Sequence, residues 1–257
     1  MKLIDVHSHL EWPSLQNDLD NIVRRAKEKS VIAAISSSVS LKSASDVLRL
    51  AEKSKGFDYP CMGLSPSEIK KHPDTFDKFV EYAIENKDRY LALGEIGLDY
   101  YWIKDKENRA FVEEKFVQLL NLANDLEKSI IIHCRDAEKR TIELIEEHYD
   151  SKTVHMHCFS GSTDLIERGL NNGWYFSVPT SVVNRSYHKK LADTVPLERM
   201  MLETDAPFLS PIKGKRHNEP ANIEISAEYI AKRKGTSVGE VASSTTKNAK
   251  EFYHLPI

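Results

Sequence analysis

Short apolar runs alternate along the whole chain with longer stretches in which apolar residues recur every three or four positions. The runs at 2–7, 31–37, 59–63, 90–94, 129–134, 153–159, 174–178 and 200–203 predict eight strands. Helical periodicity covers 17–29, 42–55, 73–86, 108–127, 137–149, 162–171, 186–193, 222–233 and 237–253. Strands followed by helix-period segments are the pattern of parallel βαβ units. At 257 residues, an α/β fold closed into a single (β/α)8 TIM barrel is the expected architecture, because that barrel takes about 250 residues. An open doubly wound sheet is the alternative that periodicity does not separate from it. With no short repeat, low-complexity tract or flexible linker, one domain spanning 1–257 is expected.

Composition narrows the class. Hydrophobic residues make up 40% and charged residues 29% of the chain, enough apolar surface to offset the entropy of ordering. Lys and Arg number 36 against 39 Asp and Glu, a net charge of −3, so bulk positive charge does not coat nucleic acid. The apolar runs are far shorter than the ~18–20 residues of a membrane-spanning helix, and no membrane partner is expected. Asp5 interrupts the N-terminal apolar stretch that a secretion signal would need. Three cysteines, an odd number in so long a chain, point to a reducing, cytoplasmic setting.

In a barrel of this kind, function gathers at the C-terminal strand ends. The first strand runs into Asp5-Val6-His7-Ser8-His9. Alternation places Asp5, His7 and His9 on one face and sends Ile4 and Val6 outward onto the helices. Two imidazoles at that spacing suit a transition or borderline divalent metal. The fourth strand ends in Gly94-Glu95-Ile96-Gly97-Leu98-Asp99, where two glycines bracket a carboxylate at a turn and permit close backbone approach. The fifth strand delivers His133. The sixth delivers His157, with His155 deeper on the same face as a supporting group. The eighth ends with Glu203 and, at the terminus, Asp205.

Singly, these read as solvated strand ends, a core histidine and a turn-capping Asp. Together, His7, His9, Glu95, His133, His157 and Asp205 bring four imidazoles and two carboxylates from five strands to one rim. Such a set can hold two divalent ions sharing a carboxylate. Paired ions about 3.5–4 Å apart activate water and stabilise the attacking and leaving oxygens of phosphodiester hydrolysis.

The same strings, together with His133-Cys134-Arg135-Asp136-Ala137, His157-Cys158-Phe159-Ser160-Gly161, Leu202-Glu203-Thr204-Asp205-Ala206-Pro207 and Asn218-Glu219-Pro220-Ala221-Asn222, resemble the TatD family of metal-dependent hydrolases. The resemblance runs through essentially the whole chain in the family's order. It implies a (β/α)8 barrel, two divalent metal ions (Mg, Zn or Mn) and 3′→5′ exonuclease action on DNA. It puts His7, His9 and Asp205 on one metal and His133 and His157 on the other, with Glu95 bridging. Asp205 and Glu95 are then the catalytic carboxylates, Asp205 orienting or deprotonating the attacking water.

Two stretches depart from the family pattern. Ser65 and Ser67 in Gly63-Leu64-Ser65-Pro66-Ser67 stand where relatives carry histidines. In Lys213-Gly214-Lys215-Arg216-His217, Lys213 replaces an arginine and His217 is inserted, removing one bidentate phosphate contact. The basic loop fits a polyanionic backbone or a solvated surface equally well. The two serines keep another hydrolysis open on the same dinuclear site, such as D-aminoacyl-tRNA deacylation. A non-enzymatic nucleic-acid scaffold with structural metals is the third reading, disfavoured because structural zinc sites fill with Cys and His. Arg135 is a candidate phosphate contact or a partner of Asp136 or Asp99. Tyr100, Tyr101 and Trp102 are candidates for base stacking or for covering the barrel. Cys134 and Cys158, each next to a candidate ligand, are expected to face away from the cavity, and Cys61 to lie in the core.

Overall fold

The computed structural model describes residues 1–150, 153–215 and 217–257. Its strands are β1 (Leu3–Ser8), β2 (Val31–Ser37), β3 (Asp58–Cys61), β4 (Leu93–Asp99), β5 (Ile130–Arg135), β6 (Val154–Met156), β7 (Tyr175–Pro179) and β8 (Met200–Glu203). All pair in parallel, in two runs, β1-β2-β3 and β4 through β8 in sequence order. Parallel bridges from Met62 to Leu93 and from Ser8 to Ala206 join the runs into a ring. Backbone bonds from Gly94 N to Met62 O (2.8 Å), Asp205 N to His7 O (2.9 Å) and His9 N to Ala206 O (2.7 Å) seal both seams. The fold is a closed eight-stranded parallel barrel.

Helices at each predicted stretch form the outer layer, and their ends carry the expected local chemistry. Ser40 and Ser43 form a capping box on Leu41–Lys53, Asp105 caps Lys106–Asp125, and Ser237 caps Val238–Tyr253. Within Lys106–Asp125, the buried Val112, Phe116, Leu119, Leu120 and Ala123 make the stripe that packs on the strands. Two short helices, Pro13–Gln16 and Pro66–Lys71, lie in stretches the periodicity left as loops. They are too short to show a period.

Three expectations need correction. Residues 94–99 are strand rather than turn: β4 starts at Leu93 and carries Glu95 in its interior. Gly94 and Gly97 are there because the neighbouring strand runs too close for a side chain. A Cβ on Gly94 would lie 2.5 Å from that of Ile131, and one on Gly97 would lie 2.0 Å from the His133 carbonyl. Second, Ile4 and Val6 do not join the main helix-facing core; of the helices they meet only the last turns of Val238–Tyr253. They pack with Ala33, Ile35, Ile131 and Met201 in a cluster set apart from the helix-facing core and floored by Phe252, Tyr253 and Leu255. The register of β1 against β2 shifts between Asp5 and Ser8, and such an irregularity breaks strict alternation. Val6 and His7 therefore both belong to the inside. Third, β6 ends at Met156, so His157 stands just beyond it.

Candidate active site

The C-terminal mouth of the barrel opens into a cavity of about 540 Å³, with Glu95 at its floor. The carboxylate of Glu95 divides the histidines in two. Its Oε2 lies 3.3 Å from His7 Nε2 and 3.5 Å from His9 Nε2, while Oε1 lies 2.8 Å from His133 Nδ1 and 3.6 Å from His157 Nε2. Asp205 joins the first half, 3.4 Å from His9 Nε2 and 3.9 Å from His7 Nε2. All six candidate residues thus meet at one point. Asp5 does not: it accepts from the backbone and hydroxyl of Thr204, tying β1 to β8.

Each imidazole is held from behind by its other nitrogen. His9 Nδ1 donates to the Ser37 carbonyl (2.8 Å), His133 Nε2 to Asp99 Oδ2 (3.1 Å) and His157 Nδ1 to Glu203 Oε2 (3.2 Å). The Ser37 hydroxyl lies 3.4 Å from His7 Nδ1. When the rings are neutral, the nitrogens turned toward Glu95 and Asp205 are thereby left as lone-pair donors, the tautomer a metal requires. His7 Nε2 is buried with no hydrogen-bond partner, an orphan that a cation would satisfy. Two three-residue groups, His7–His9–Glu95 and Glu95–His133–His157, bring one ligand atom each to within 4.8 Å of one another. A further group, His7–His157–Glu203, reads better as support, because Glu203 already accepts from His157. The donor set fits divalent cations.

Electrostatics agree with that fit. Burial acts against charge on Glu95, but the histidines around it hold the carboxyl well below its ordinary range. Burial likewise opposes ionisation of Asp205, and the hydrogen bond from His9 together with the nearby His157 and His7 outweighs it, so the carboxyl is pulled down. Burial would discharge His9 and His133, yet Asp205 and Glu11 beside the first, and Asp99 and Glu95 beside the second, push each up to about 9. His7, dominated by burial and by the facing His157, falls to about 4. The neighbourhood is rich in carboxylates that favour positive charge at its centre.

Behind this layer, His155 is fully buried and does not reach Glu95. It contacts Tyr253 Oη (2.7 Å) and Ser177 Oγ (2.6 Å), and Ser177 donates to Glu203. Sequence reasoning gave Asp99 only as a candidate partner of Arg135 and assigned no role to Ser37 or Glu11. Glu11 is buried beside His9 with both carboxylate oxygens unpartnered, and burial pushes it up to about 7. Its signal was present, since Glu11 continues the alternation of His7 and His9.

Ser65 and Ser67 line the cavity, and the Ser65 hydroxyl caps Pro66–Lys71. Arg135 also lines it and lies over the Tyr101 ring at 3.8 Å, with no ion pair to Asp136 or Asp99 among the described residues. Cys134 packs in the hydrophobic core as expected, although it also borders the cavity, whereas Cys158 reverses expectation by lining the cavity. The backbone of Cys158 takes φ 48°, a turn that brings Sγ to 3.3 Å from His188 Nε2. Cys61 lies in the core as expected. Lys213, Lys215 and His217 are exposed and stand apart from the cavity lining; Arg216 lies outside the described residues. Asn218 is buried and bonds the Thr204 carbonyl and Thr180, while Glu219 pairs with Arg25. That motif fastens the loops around the mouth.

The sequence profile of the family described as TatD related DNase matches residues 4–254. The chain belongs to the TatD family. It is 36% identical over 260 residues to human deoxyribonuclease TATDN3, covering 98% of this chain and 94% of that protein. An uncharacterised metal-dependent hydrolase of Methanocaldococcus jannaschii is 35% identical over 254 residues, covering 98% and 97%. Among solved structures, the TatD homologue YjjV of Escherichia coli superposes with a TM-score of 0.89 at 24% identity, covering 99% and 98% of the two chains. A TatD-family hydrolase of Entamoeba histolytica gives 0.88 at 21% identity, covering 98% of each. These last two likenesses establish the barrel fold. Membership makes the chain one of a family of metal-dependent hydrolases.

Proposed function

We propose that this protein is a two-metal deoxyribonuclease that removes nucleotides from DNA in the 3′→5′ direction. The observation that carries the reading is the division of Glu95, one oxygen toward His7 and His9 and the other toward His133 and His157. A carboxylate so placed would help to hold two cations, one on each side. His7, His9 and Asp205 would hold the first, and His133 with His157 the second. Bound divalent ions, Mg, Mn or Zn, would supply Lewis acidity and lower the pKa of the attacking water.

The chain's own groups do the rest. Asp205, held ionised by its neighbours, takes the proton of the attacking water. The water oxygen bonds to phosphorus as the bond from phosphorus to the 3′ oxygen of the shortened strand breaks; that oxygen takes up a proton, and a nucleoside 5′-monophosphate is released. Arg135 and Arg185, both on the cavity wall, face the phosphate charge. Among the described residues no helix is long and apolar enough to cross a membrane, and all three cysteines are free. The free thiols support the cytoplasmic location expected from sequence.

The test is hydrolysis of 5′-labelled single-stranded DNA with Mg²⁺ or Mn²⁺, alongside metal content. Wild type should shorten the strand from its 3′ end and lose activity in EDTA. Glu95→Gln should bind fewer than two metals per chain and lose at least about a hundredfold in turnover. Retained turnover in Glu95→Gln defeats the bridging role. Release of amino acid from D-aminoacyl-tRNA with no DNA cleavage would replace the nuclease by the deacylase.

A further inference from the structure

Most of the barrel interior beneath the Glu95 cluster is apolar, filled by Ile4, Val6, Ala33, Ile35, Cys61 and Ile131. Three neighbouring strands depart from that rule. β6, β7 and β8 contribute His155, Ser177 and Glu203, all three without exposed surface. Buried polar groups cost stability unless they are paired, and an apolar filling of the same volume would fold at least as well. These three are joined into one chain of hydrogen bonds that leads to His157.

The chain has a single direction. Glu203, as a carboxylate, only accepts; its Oε2 takes the Ser177 hydroxyl proton at 2.6 Å and the His157 Nδ1 proton at 3.2 Å. Ser177 has one proton and gives it to Glu203. Toward His155 Nε2, at 2.6 Å, it can therefore only accept. The His155 ring proton thus sits on Nε2, which leaves Nδ1 to accept from Tyr253 Oη at 2.7 Å. Tyr253, His155 and Ser177 donate in turn, and donors aligned in series strengthen one another. The last of them keeps the charge of Glu203 on the oxygen that faces His157.

Packing fixes where the chain starts. Tyr253 closes the helix Val238–Tyr253 and is buried with Phe252 and Leu255 beneath the apolar cluster. Phe252 meets the His155 ring edge to face at 5.8 Å, so the imidazole is gripped from the side while both its nitrogens are bonded. Resting on the reading that His133 and His157 hold the second cation, we propose that Tyr253, His155 and Ser177 are positioning residues that fix the His157 ring through Glu203. The last helix of the chain thereby sets the affinity of the second metal position and leaves the first alone.

The experiment measures metal binding to the metal-free protein, by competition of Mn²⁺ or Zn²⁺ with a fluorescent chelator, and needs no substrate. Wild type should bind in two steps, and His157→Ala identifies the step that belongs to the second position. Ser177→Ala should weaken that step about tenfold and Tyr253→Phe about threefold, with the other step within about twofold of wild type. Because Ser177 acts through Glu203, Ser177→Ala should add less than about twofold in a Glu203→Gln background. Tyr253→Phe keeps the ring and its packing, so the test stands even if Ser177→Ala folds poorly. An unchanged second step in both variants, equal weakening of both steps, or full additivity with Glu203→Gln would each overturn the proposal and leave the two-metal reading intact. A wild type that binds one metal, or a His157→Ala that still binds two as tightly, would defeat that reading and the proposal with it.

Discussion

Glu203 has no place in the six-residue cluster, yet the geometry makes it decide whether His157 can act as a ligand. The side chain is fully buried, accepting from Ser177 Oγ at 2.6 Å and from His157 Nδ1 at 3.2 Å. Replacing it by Gln keeps the shape and removes the charge. A hydrogen bond to a buried charge contributes about 1.5–3 kcal/mol and a neutral one about 0.5–1.5. The substitution therefore weakens the hold on His157 by about 1–1.5 kcal/mol, or about tenfold in metal affinity. That agrees with the 10- to 100-fold usual for partners of ligating histidines. The amide also brings an NH2 group to the position of Oε1, which has no partner, so stability should fall by about 1–3 kcal/mol. Competition with a fluorescent chelator would measure Mn²⁺ or Zn²⁺ affinity, and the rate at saturating metal would report the chemistry. The expected pattern is weaker metal binding with turnover largely restored by excess metal. Affinity within twofold of wild type, in a protein where His157→Ala abolishes binding, would show that something other than Glu203 orients the ring.

Two further outcomes follow from single contacts. Gly97→Ala drives a methyl group to 2.0 Å from the His133 carbonyl at φ +143°, so β4 and β5 must part. Calorimetry should show a loss of about 2–5 kcal/mol, whereas Gly239→Ala, with its nearest neighbour 3.8 Å away, should be neutral or stabilising. A Gly97→Ala melting temperature equal to wild type would refute the close-approach argument. Asp5, pushed up to about 7 from 3.8 chiefly by burial, binds its proton more tightly folded than unfolded. Its contribution is fully present below pH about 4 and is lost as pH rises through about 7. Asp5→Asn should flatten the fall in urea midpoint across that window, and an unchanged profile would place the dependence elsewhere.

Much of this was legible in the chain, for reasons that can be named. β2 spans the predicted 31–37, because seven residues rich in Val, Ile and Ala between two helix-period stretches leave few alternatives. The six site residues were legible because strand ends in a closed barrel share a rim whatever their distance in sequence. Glu95 meets the histidines as expected, but from within a strand and not from a turn. Its flanking glycines carry a turn signal, and only the approach of Ile131 and His133 shows them to be strand residues. Ile4 and Val6 were turned the wrong way because alternation assumes an unbroken register, and β1 shifts against β2. Cys158 was misplaced for a similar reason, since its φ of 48° lies outside any strand pattern.

The walls of the mouth were the least legible part, and the cause is physical. Trp12 and Phe208 sit on connections after β1 and β8, where no period relates sequence to direction, whereas Trp102, after β4, already stood out as a candidate for stacking or for covering the barrel. By contrast, the cluster on the floor is built from backbone that cannot move without opening the barrel. His9 takes its orientation from the Ser37 carbonyl in β2 and His133 from Asp99 at the end of β4. Carboxylates on the surrounding strands keep positive charge favourable at the centre, which is why His9 and His133 rise to about 9 when protons are the only cations at hand. A divalent ion would displace those protons and take over the same electrostatic role at higher charge density, so the architecture that raises these histidines is the one that selects for metal. Substitutions in the mouth loops can then alter what the cavity admits without disturbing the cluster on its floor.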